Sequence, residues 1–130
     1  MPQKILTDSL LRKISEKKWM HSFELLPGVV TPGVWGHIDS GKLFDEIYAL
    51  PKNMTGLSVL DIGTLDGVHA FEAERRGATV TAMDIQSPDV TGFNLASEVI
   101  GSKVQYVQGS CYDLGALQGK FDIILFFGVW

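Results

Sequence analysis

Four apolar runs of strand length recur along the second half of the chain. They cover residues 57–60, 79–83, 104–108 and 121–128, and each closes at, or is followed by, an aspartate or a glycine. Stretches whose apolar residues have helical spacing separate the first three runs. Strands that alternate with helices are typical of a mostly parallel sheet with helices on its faces. We therefore predict an α/β fold whose parallel sheet contains these four strands.

The N-terminal part has a different pattern, first helical and then extended. Residues 6–19 carry apolar side chains at helical spacing after Thr7 or Asp8, either of which can cap a helix N-terminus. The apolar positions are Leu6, Leu10, Leu11 and Ile14. The simplest surface for this amphipathic face is the protein's own sheet. Two prolines and two glycines then predict an extended, turning segment over residues 19–33.

A second helix is predicted over residues 40–50, where Pro51 stops it. Four apolar residues should share its buried face. They are Leu43, Phe44, Ile47 and Leu50. This helix and the first one form the N-terminal helical extension of the α/β fold.

Two further helices connect the predicted strands. The one over residues 67–76 ends at Gly77, a common helix C-terminal residue, and its charged side chains should face solvent. Those side chains are Glu72, Glu74, Arg75 and Arg76. The other begins at Ser87 and Pro88, which resemble an N-cap and a first helical residue, and runs to Ile100.

Composition narrows the class of protein. With 130 residues the chain is long enough for one domain with a real core. A single cysteine cannot form an internal disulfide, so the reducing cytoplasm is the expected compartment. No apolar run reaches the ~18 residues of a membrane helix, and no signal sequence is recognisable. The net charge of −4, without clusters of Lys or Arg, disfavours tight nucleic-acid binding by this chain.

The candidate chemistry lies where the first apolar run gives way to Asp61, Gly63 and Gly67. An apolar strand followed by an acid and two glycines predicts a sharp turn into a helix, whose N–H groups suit a nucleotide-like ligand. A dinucleotide fingerprint is disfavoured, because its second and third glycines would fall on Leu65 and Val68. A strand–turn–helix without a ligand is the alternative.

This pattern of acid-x-Gly-x-x-x-Gly resembles the first motif of the class I S-adenosylmethionine-dependent methyltransferases. The resemblance implies a Rossmann-like sheet in the order 3-2-1-4, counting the four predicted strands. It also implies that the turn holds the amino-acid end of S-adenosylmethionine or S-adenosylhomocysteine. The residues concerned are Asp61, Gly63, Thr64, Leu65 and Gly67, with Leu65 in place of the usual middle glycine.

The resemblance extends to the next two strand ends. Asp84 follows the second strand, about 20 residues after the first acid, where a carboxylate accepts both ribose hydroxyls, and Ile85 comes next. A strand-end acid that only caps the following turn is the alternative. After the third strand, Ser110, Cys111 and Tyr112 would lie near the adenine ring. Many members carry an acid at the position of Ser110, and serine is a weaker acceptor.

A narrower resemblance concerns residues 19–33. Their W-x-H-S-x-E-L and V-T-P-G patterns are similar to methyltransferases related to the tRNA wobble-uridine modifying enzymes. In that group the segment helps to cover the active site. The resemblance implies a cap over residues 1–56 and a partial cofactor domain over residues 57–130, together one compact unit.

Few residues suggest catalysis. His21 and Tyr112 are weak candidates, and hydrogen-bonded packing is the more ordinary role of a lone histidine. Trp19, Phe23 and Trp35 are predicted to pack in the core or in the covering segment. No metal site is expected.

The family fold continues beyond the fourth strand, so the chain resembles a C-terminally truncated member. That leaves an apolar strand edge over residues 123–127, and we expect a homodimer that pairs these edges. In the alternative, the N-terminal helix covers the exposed face. A nucleic-acid partner is suggested only by analogy with the family.

Three functions remain open from the sequence. The first is an S-adenosylmethionine-dependent methyltransferase with an unknown acceptor. The second is a cofactor-binding or interaction module that has lost catalysis. The third is a nicotinamide-dependent oxidoreductase, which the glycine spacing disfavours.

Overall fold

The structure is a computed structural model that describes residues 6–117 and 119–127. Its N-terminal part holds helix α1, a short antiparallel hairpin and helix α2, which continues as a π-helical turn. Their bounds are α1 Asp8–Glu16, β1 Glu24–Leu26, β2 Val29–Val30, α2 Ser40–Lys42 and the π-helical turn Leu43–Ile47. None of the helices in the described part is long and apolar enough to cross a membrane.

The rest of the described chain forms a sheet with its connecting helices. The elements are β3 Ser58–Ile62, α3 Val68–Arg75, β4 Thr79–Asp84, α4 Phe93–Ile100, β5 Gln105–Gln108, a 3-10 helix Cys111–Ala116 and β6 Ile123–Phe126. All four strands are parallel, in the order β5-β4-β3-β6. This is the predicted order 3-2-1-4, so the α/β, Rossmann-like fold is confirmed. Residue 128, the predicted end of the fourth strand, lies outside the described residues.

The two faces of the sheet are covered unequally. Val59, Val80 and Leu125 point to one face and join a large buried cluster with side chains of α1, α3 and α4. Leu60 and Ile62 point to the other face, where only a small cluster reaches the segment around the 3-10 helix. The larger cluster also includes Trp19, Phe23 and Phe44, so side chains of the N-terminal part share this core with the sheet and its helices.

Helix α1 contacts α4, and its buried residues join the large cluster that also contains residues of the sheet. Thr7 caps it by accepting a hydrogen bond from the N–H of Leu10. Leu10 and Ile14 are buried, whereas Leu11 is exposed. The helix therefore leaves the face around β6 uncovered, and the alternative in which it shields the fourth strand is wrong.

The second helix differs from its prediction because it contains a π-helical turn. The N–H of Tyr48 bonds to the carbonyl of Leu43, five residues back, at 2.9 Å. This extra residue in the turn rotates Ile47 outward to 67% exposure, although it was predicted to be buried. Tyr48 takes the inner position and stacks on Phe127 with 4.3 Å between ring centroids.

The charged face predicted for the helix at 67–76 is also wrong at Glu72, which is buried. Its carboxylate pairs with Arg75 and Arg76 at 3.0 and 2.9 Å and accepts a hydrogen bond from Ser40. Burial alone would raise the pKa of Glu72, but hydrogen bonds from Arg76, Arg75 and Ser40 lower it below the usual value. This network ties α2 to α3.

Helix α4 begins at Phe93, later than the predicted start at Ser87. Residues 87–91 form turns, with the N–H of Thr91 bonded to the carbonyl of Ser87. The N–H of Gly92 donates to the side chain of Asp66 instead of to a preceding carbonyl, so the helical ladder starts only after it. A long-range bond thus overrides a local N-cap signal.

Strand β6 pairs with β3 on one side and has no partner on its other side among the described residues. Ile124 and Phe126 are 56% and 52% exposed on the thinly covered face. The homodimer therefore stays a prediction.

Replacing Ile124 with lysine should halve the mass measured by light scattering, because the charge would sit on the pairing face. A wild-type monomer at micromolar concentration would contradict it. Leu125 is buried, so its substitution would unfold the protein instead.

The contact between Gly92 and Trp19 generates a second prediction. A Cβ atom on Gly92 would lie 2.2 Å from the Trp19 ring, which is 1% exposed and cannot move freely. Gly92→Ala should lower the free energy of unfolding by about 1–3 kcal/mol in urea denaturation. Gly115→Ala is the control, since nothing lies within 4 Å of its added Cβ, and it should change stability by less than about 1 kcal/mol. Equal effects would show that Trp19 does not anchor this segment.

Candidate functional site

An open cleft of about 330 Å³ lies at the carboxyl ends of β3, β4 and β5. In an open parallel sheet, this edge is where ligands bind. The residues that line it are Ile62, Gly63, Leu65, Met83, Asp84, Ile85, Gln86, Gly109, Ser110, Cys111 and Tyr112. Seven of the ten predicted cofactor residues are among them. The other three do not line the cleft: Asp61 lies in β3, and Thr64 and Gly67 lie in the turn after it.

The turn after β3 is tightly built. The N–H groups of Gly63 and Thr64 both bond to the carbonyl of Met83, at 2.8 and 3.1 Å, which draws the turn onto the end of β4. Leu65 adopts a left-handed conformation with φ of 50°. Glycine adopts that conformation without strain, which explains why the family prefers glycine there. Gly67 has a φ of 92°, and a Cβ on it would lie 2.5 Å from the Phe71 ring.

Asp84 faces this turn from the tip of β4. One carboxylate oxygen accepts the N–H of Leu65 at 2.9 Å, and the other accepts the N–H of Gln86 at 3.0 Å. Each oxygen keeps a further lone pair for a ligand donor. The bonds also give Asp84 a structural role, so its removal would disturb the turn.

Asp61 is a buried acid at the end of β3. Its Oδ2 and the nearby Thr64 Oγ1 are buried and have no hydrogen-bond partner in the described structure. Burial raises the pKa of Asp61 to about 7, and the Ala70 N–H and the nearby Thr64 hydroxyl, although the latter lies outside hydrogen-bond geometry, lower it by less. A cationic group brought next to this carboxyl would favour its charged form.

The far end of the cleft is formed by the residues after β5. Ser110 caps the 3-10 helix: its hydroxyl accepts the N–H of Tyr112, and its own N–H donates to Asp113. Ile85 and Tyr112 are 69% and 94% exposed, so both present apolar surface to the solvent at this end of the cleft. Cys111 is half-buried.

Sequence reasoning missed Asp66, the acid inside the turn. Its side chain is fully buried and accepts three backbone N–H groups. Oδ2 accepts from Met20 at 2.7 Å and from His21 at 3.1 Å, and Oδ1 accepts from Gly92 at 2.8 Å. The position of an acid between Leu65 and Gly67 could not reveal these partners, because they come from distant segments.

The two weak catalytic candidates lie in different places. Tyr112 lines the cleft, whereas His21 lies by Asp66 and does not line it. Trp35, predicted to pack in the core or covering segment, is 61% exposed and contacts His21 edge-on at 5.4 Å between centroids. Trp19 and Phe23 are buried as predicted. In the described part of the chain, no group of three or more potential ligand residues could hold a metal ion.

Comparison with known proteins identifies the family. A family described as "Methyltransferase domain" matches residues 59–130, more than half of the chain. The chain belongs to this methyltransferase domain family. None of the curated proteins compared with it is similar enough to count as a match.

Two solved structures with TM-scores above 0.5 agree with the fold, and a third is similar over part of the chain. A proposed RNA methyltransferase from Pyrococcus horikoshii is 20% identical with a TM-score of 0.52, over 92% of this chain and 57% of that protein. The protein WbdD is 20% identical with a TM-score of 0.55, over 91% and 24%. Protein 1320 of Thermoplasma acidophilum is 32% identical with a TM-score of 0.48, over 65% and 42%. The chain thus spans roughly a quarter to three-fifths of these structures.

Members of this family generally bind S-adenosylmethionine, and the residues present fit that group. Asp84 offers spare lone pairs at the cleft, whereas the unpartnered oxygens of Asp61 and Thr64 are buried behind its lining. Ile85 and Tyr112 offer exposed apolar surface for a flat ring.

The raised pKa of Asp61 predicts a pH-dependent stability. A carboxyl whose pKa rises from 3.8 when unfolded to about 7 when folded stabilises the protein below about pH 4 and loses this contribution as the pH rises to about 7. Asp61→Asn cannot ionise, so its stability relative to wild type should grow across this window by up to roughly 4 kcal/mol. Urea denaturation at pH 4 and pH 8 measures the difference. A constant difference would contradict an ionisable, ligand-free Asp61.

Proposed function

We propose that this chain provides the cofactor-binding part of an S-adenosylmethionine-dependent methyltransferase. The observation that carries the proposal is the juxtaposition of the glycine turn and Asp84 at one cleft, in a chain of the methyltransferase domain family. The hydrogen bond from the Leu65 N–H to Asp84 joins the glycine turn after β3 to the acid at the tip of β4.

Different residues would contact different parts of the cofactor. The turn of Asp61, Gly63, Thr64, Leu65 and Gly67 would hold the amino-acid end, where a ligand ammonium would return Asp61 to its charged form. Asp84 would accept the ribose hydroxyls with its remaining lone pairs.

The adenine would lie between the exposed side chains of Ile85 and Tyr112, which a flat ring would remove from water. Ser110 and Cys111 flank the same end of the cleft. Ser110 Oγ already accepts one backbone N–H, so it would be the weaker acceptor for an adenine amino group.

S-adenosylmethionine, when bound, supplies an electrophilic methyl group on a sulfonium. The chain's own task is then to position the acceptor and to exclude water, which needs no strong base. Neither His21 nor Tyr112 has an arrangement that marks it as an acid or a base. Whether the chain transfers a methyl group by itself, or binds the cofactor only, is decided by a methyl-transfer assay.

Membership of the wobble-uridine-related group remains a proposal that rests on residues 19–33. The net charge of −4 gives little attraction for a polyanion such as tRNA. A nicotinamide-dependent oxidoreductase remains disfavoured by the glycine spacing. The cytoplasm is the compartment we propose, from the single cysteine.

Binding of S-adenosylhomocysteine tests the proposal directly. At about 100 times its dissociation constant it should stabilise the fold by roughly 2.7 kcal/mol, seen as a melting shift, while NAD should give none. Asp84→Asn should weaken binding at least tenfold, or about 1.4 kcal/mol, because it loses a charged acceptor at the ribose.

The matched control is Asp89→Asn, an exposed acid outside the cleft whose side chain bonds to Asn94. It should leave the dissociation constant unchanged. Calorimetry at a temperature where all variants are folded measures ligand affinity separately from any loss of stability caused by the substitution at Asp84. Equal affinity of wild type and Asp84→Asn would overturn the ribose assignment, and a shift with NAD alone would overturn the cofactor.

A further inference from the structure

Two side chains of β5 hold the backbone that follows β4, although neither of them lines the cleft. The Tyr106 hydroxyl donates to the carbonyl of Gln86 at 2.7 Å, and Nε2 of Gln108 donates to the carbonyl of Ile85 at 3.2 Å. The two donors lie two residues apart in one strand, so they project from the same face of the sheet. Sequence reasoning assigned neither residue a role.

These bonds complete a row of three consecutive carbonyls that are held from β5 or the residue after it. The carbonyl of Asp84, at the tip of β4, accepts the N–H of Gly109 at 2.8 Å. The next two carbonyls, those of Ile85 and Gln86, accept the side-chain bonds. The N–H of Gln86 is bonded as well, to Oδ1 of Asp84 at 3.0 Å. Backbone beyond the end of a strand has no ladder partner, so side chains supply the bonds that the neighbouring strand no longer makes.

Tyr106 is the firmer of the two donors. Its ring lies 4.7 Å from the ring of Phe93, between centroids, and Phe93 is 2% exposed in the core. Packing therefore fixes the ring, and the hydroxyl donates from a fixed point. Burial, and after it the charge of Asp84, raise the pKa of Tyr106, so the hydroxyl keeps the proton that it donates. Gln108 is exposed, and its bond is longer.

This row of bonds fixes one wall of the cleft. Ile85 and Gln86 both line the cleft, and the Ile85 side chain is mostly exposed there. The direction of a β-branched side chain follows its backbone closely, because few χ1 rotamers are open to it. Holding the peptide groups that follow Ile85 therefore holds its side chain at the cleft. A wall that is in place before binding spares the complex the entropy cost of ordering it.

A purely stabilising role is the alternative. Bonds that only stabilise the turn would raise the free energy of unfolding and leave the ligand affinity of the folded protein unchanged. Packing gives no reason to hold Ile85 in place, because a side chain that is mostly exposed gains little from burial. A flat ring laid on that side chain supplies the reason.

We propose that Tyr106, supported by Gln108, is a positioning residue that sets Ile85 against the purine ring of the cofactor. The inference rests on the proposed function and names the residues that arrange the base end of that site. Because Tyr106 does not line the cleft, it acts on the ligand through Ile85.

Calorimetry with S-adenosylhomocysteine tests the inference through a double-mutant cycle. Tyr106→Phe keeps the ring beside Phe93 and removes only the hydroxyl, and it should weaken binding about three- to tenfold. Ile85→Ala should weaken binding by at least as much. The double variant should bind no more weakly than Ile85→Ala alone, because without that side chain Tyr106 has nothing to position. Losses that add in the double variant would overturn the inference.

Nitrogen relaxation gives a second readout that needs no ligand. In the 15N-labelled protein, Tyr106→Phe should make the amides of Ile85 and Gln86 more mobile on the ps–ns timescale, while the amides of β4 stay rigid. If the two amides remain as rigid as in the wild type, Tyr106 does not position this segment.

Tyr48→Phe is the matched control, because it removes a tyrosine hydroxyl outside the cleft. It should leave the dissociation constant and the two amides unchanged. If Tyr106→Phe does not fold, Gln108→Met removes the other donor at nearly constant shape. It should give a smaller loss in the same direction, and no loss would count against the inference.

The two proposals fail in different ways. A wild-type protein that does not bind S-adenosylhomocysteine would overturn the proposed function, and this inference with it. Wild-type binding that Tyr106→Phe leaves unchanged would overturn this inference alone.

Discussion

One buried carboxylate, that of Asp66, joins the parts of the molecule that form the candidate site. It accepts N–H groups from Met20, His21 and Gly92, which belong to two segments distant from its own. Hydrogen bonds to an ionised acceptor are stronger than neutral ones, typically about 1.5–3 kcal/mol each. Without this carboxylate, one buried donor and two partly buried ones would lose their partner together. The covering segment, the turn and the start of α4 are thus positioned by one side chain.

Apolar contacts near Asp66 join the same segments as its hydrogen bonds do. Trp19 lies on Gly92 so closely that no larger residue fits there, and its ring N–H bonds to the carbonyl of Ile14 at 2.8 Å. The covering segment therefore shares its core with α4. On the other side, Glu72 connects α3 to α2 through Ser40. The turn that faces the cleft lies between these two connections, which restricts how far it can move.

Local signals predicted much of this architecture, and distant partners account for what they missed. The strands, the order of the sheet, the cap at Thr7 and the residues of the cleft follow from periodicity, spacing and family resemblance. Ser87 was predicted to be the N-cap of a helix, but the N–H of Gly92 bonds to Asp66 and the helix begins after Gly92. The sequence predicted that Glu72 is exposed to solvent, but it is buried and pairs with Arg75, Arg76 and Ser40.

By itself, the sequence determined the fold class, the position of the turn and the acid at the tip of β4, because each depends on neighbours a few residues away. Only the tertiary structure decided that Asp66 is a three-way acceptor and that Tyr106 and Gln108 hold the carbonyls that follow β4. It also decided that the π-helical turn exposes Ile47. These features depend on which distant groups meet in space, and no local pattern of polar and apolar residues encodes that.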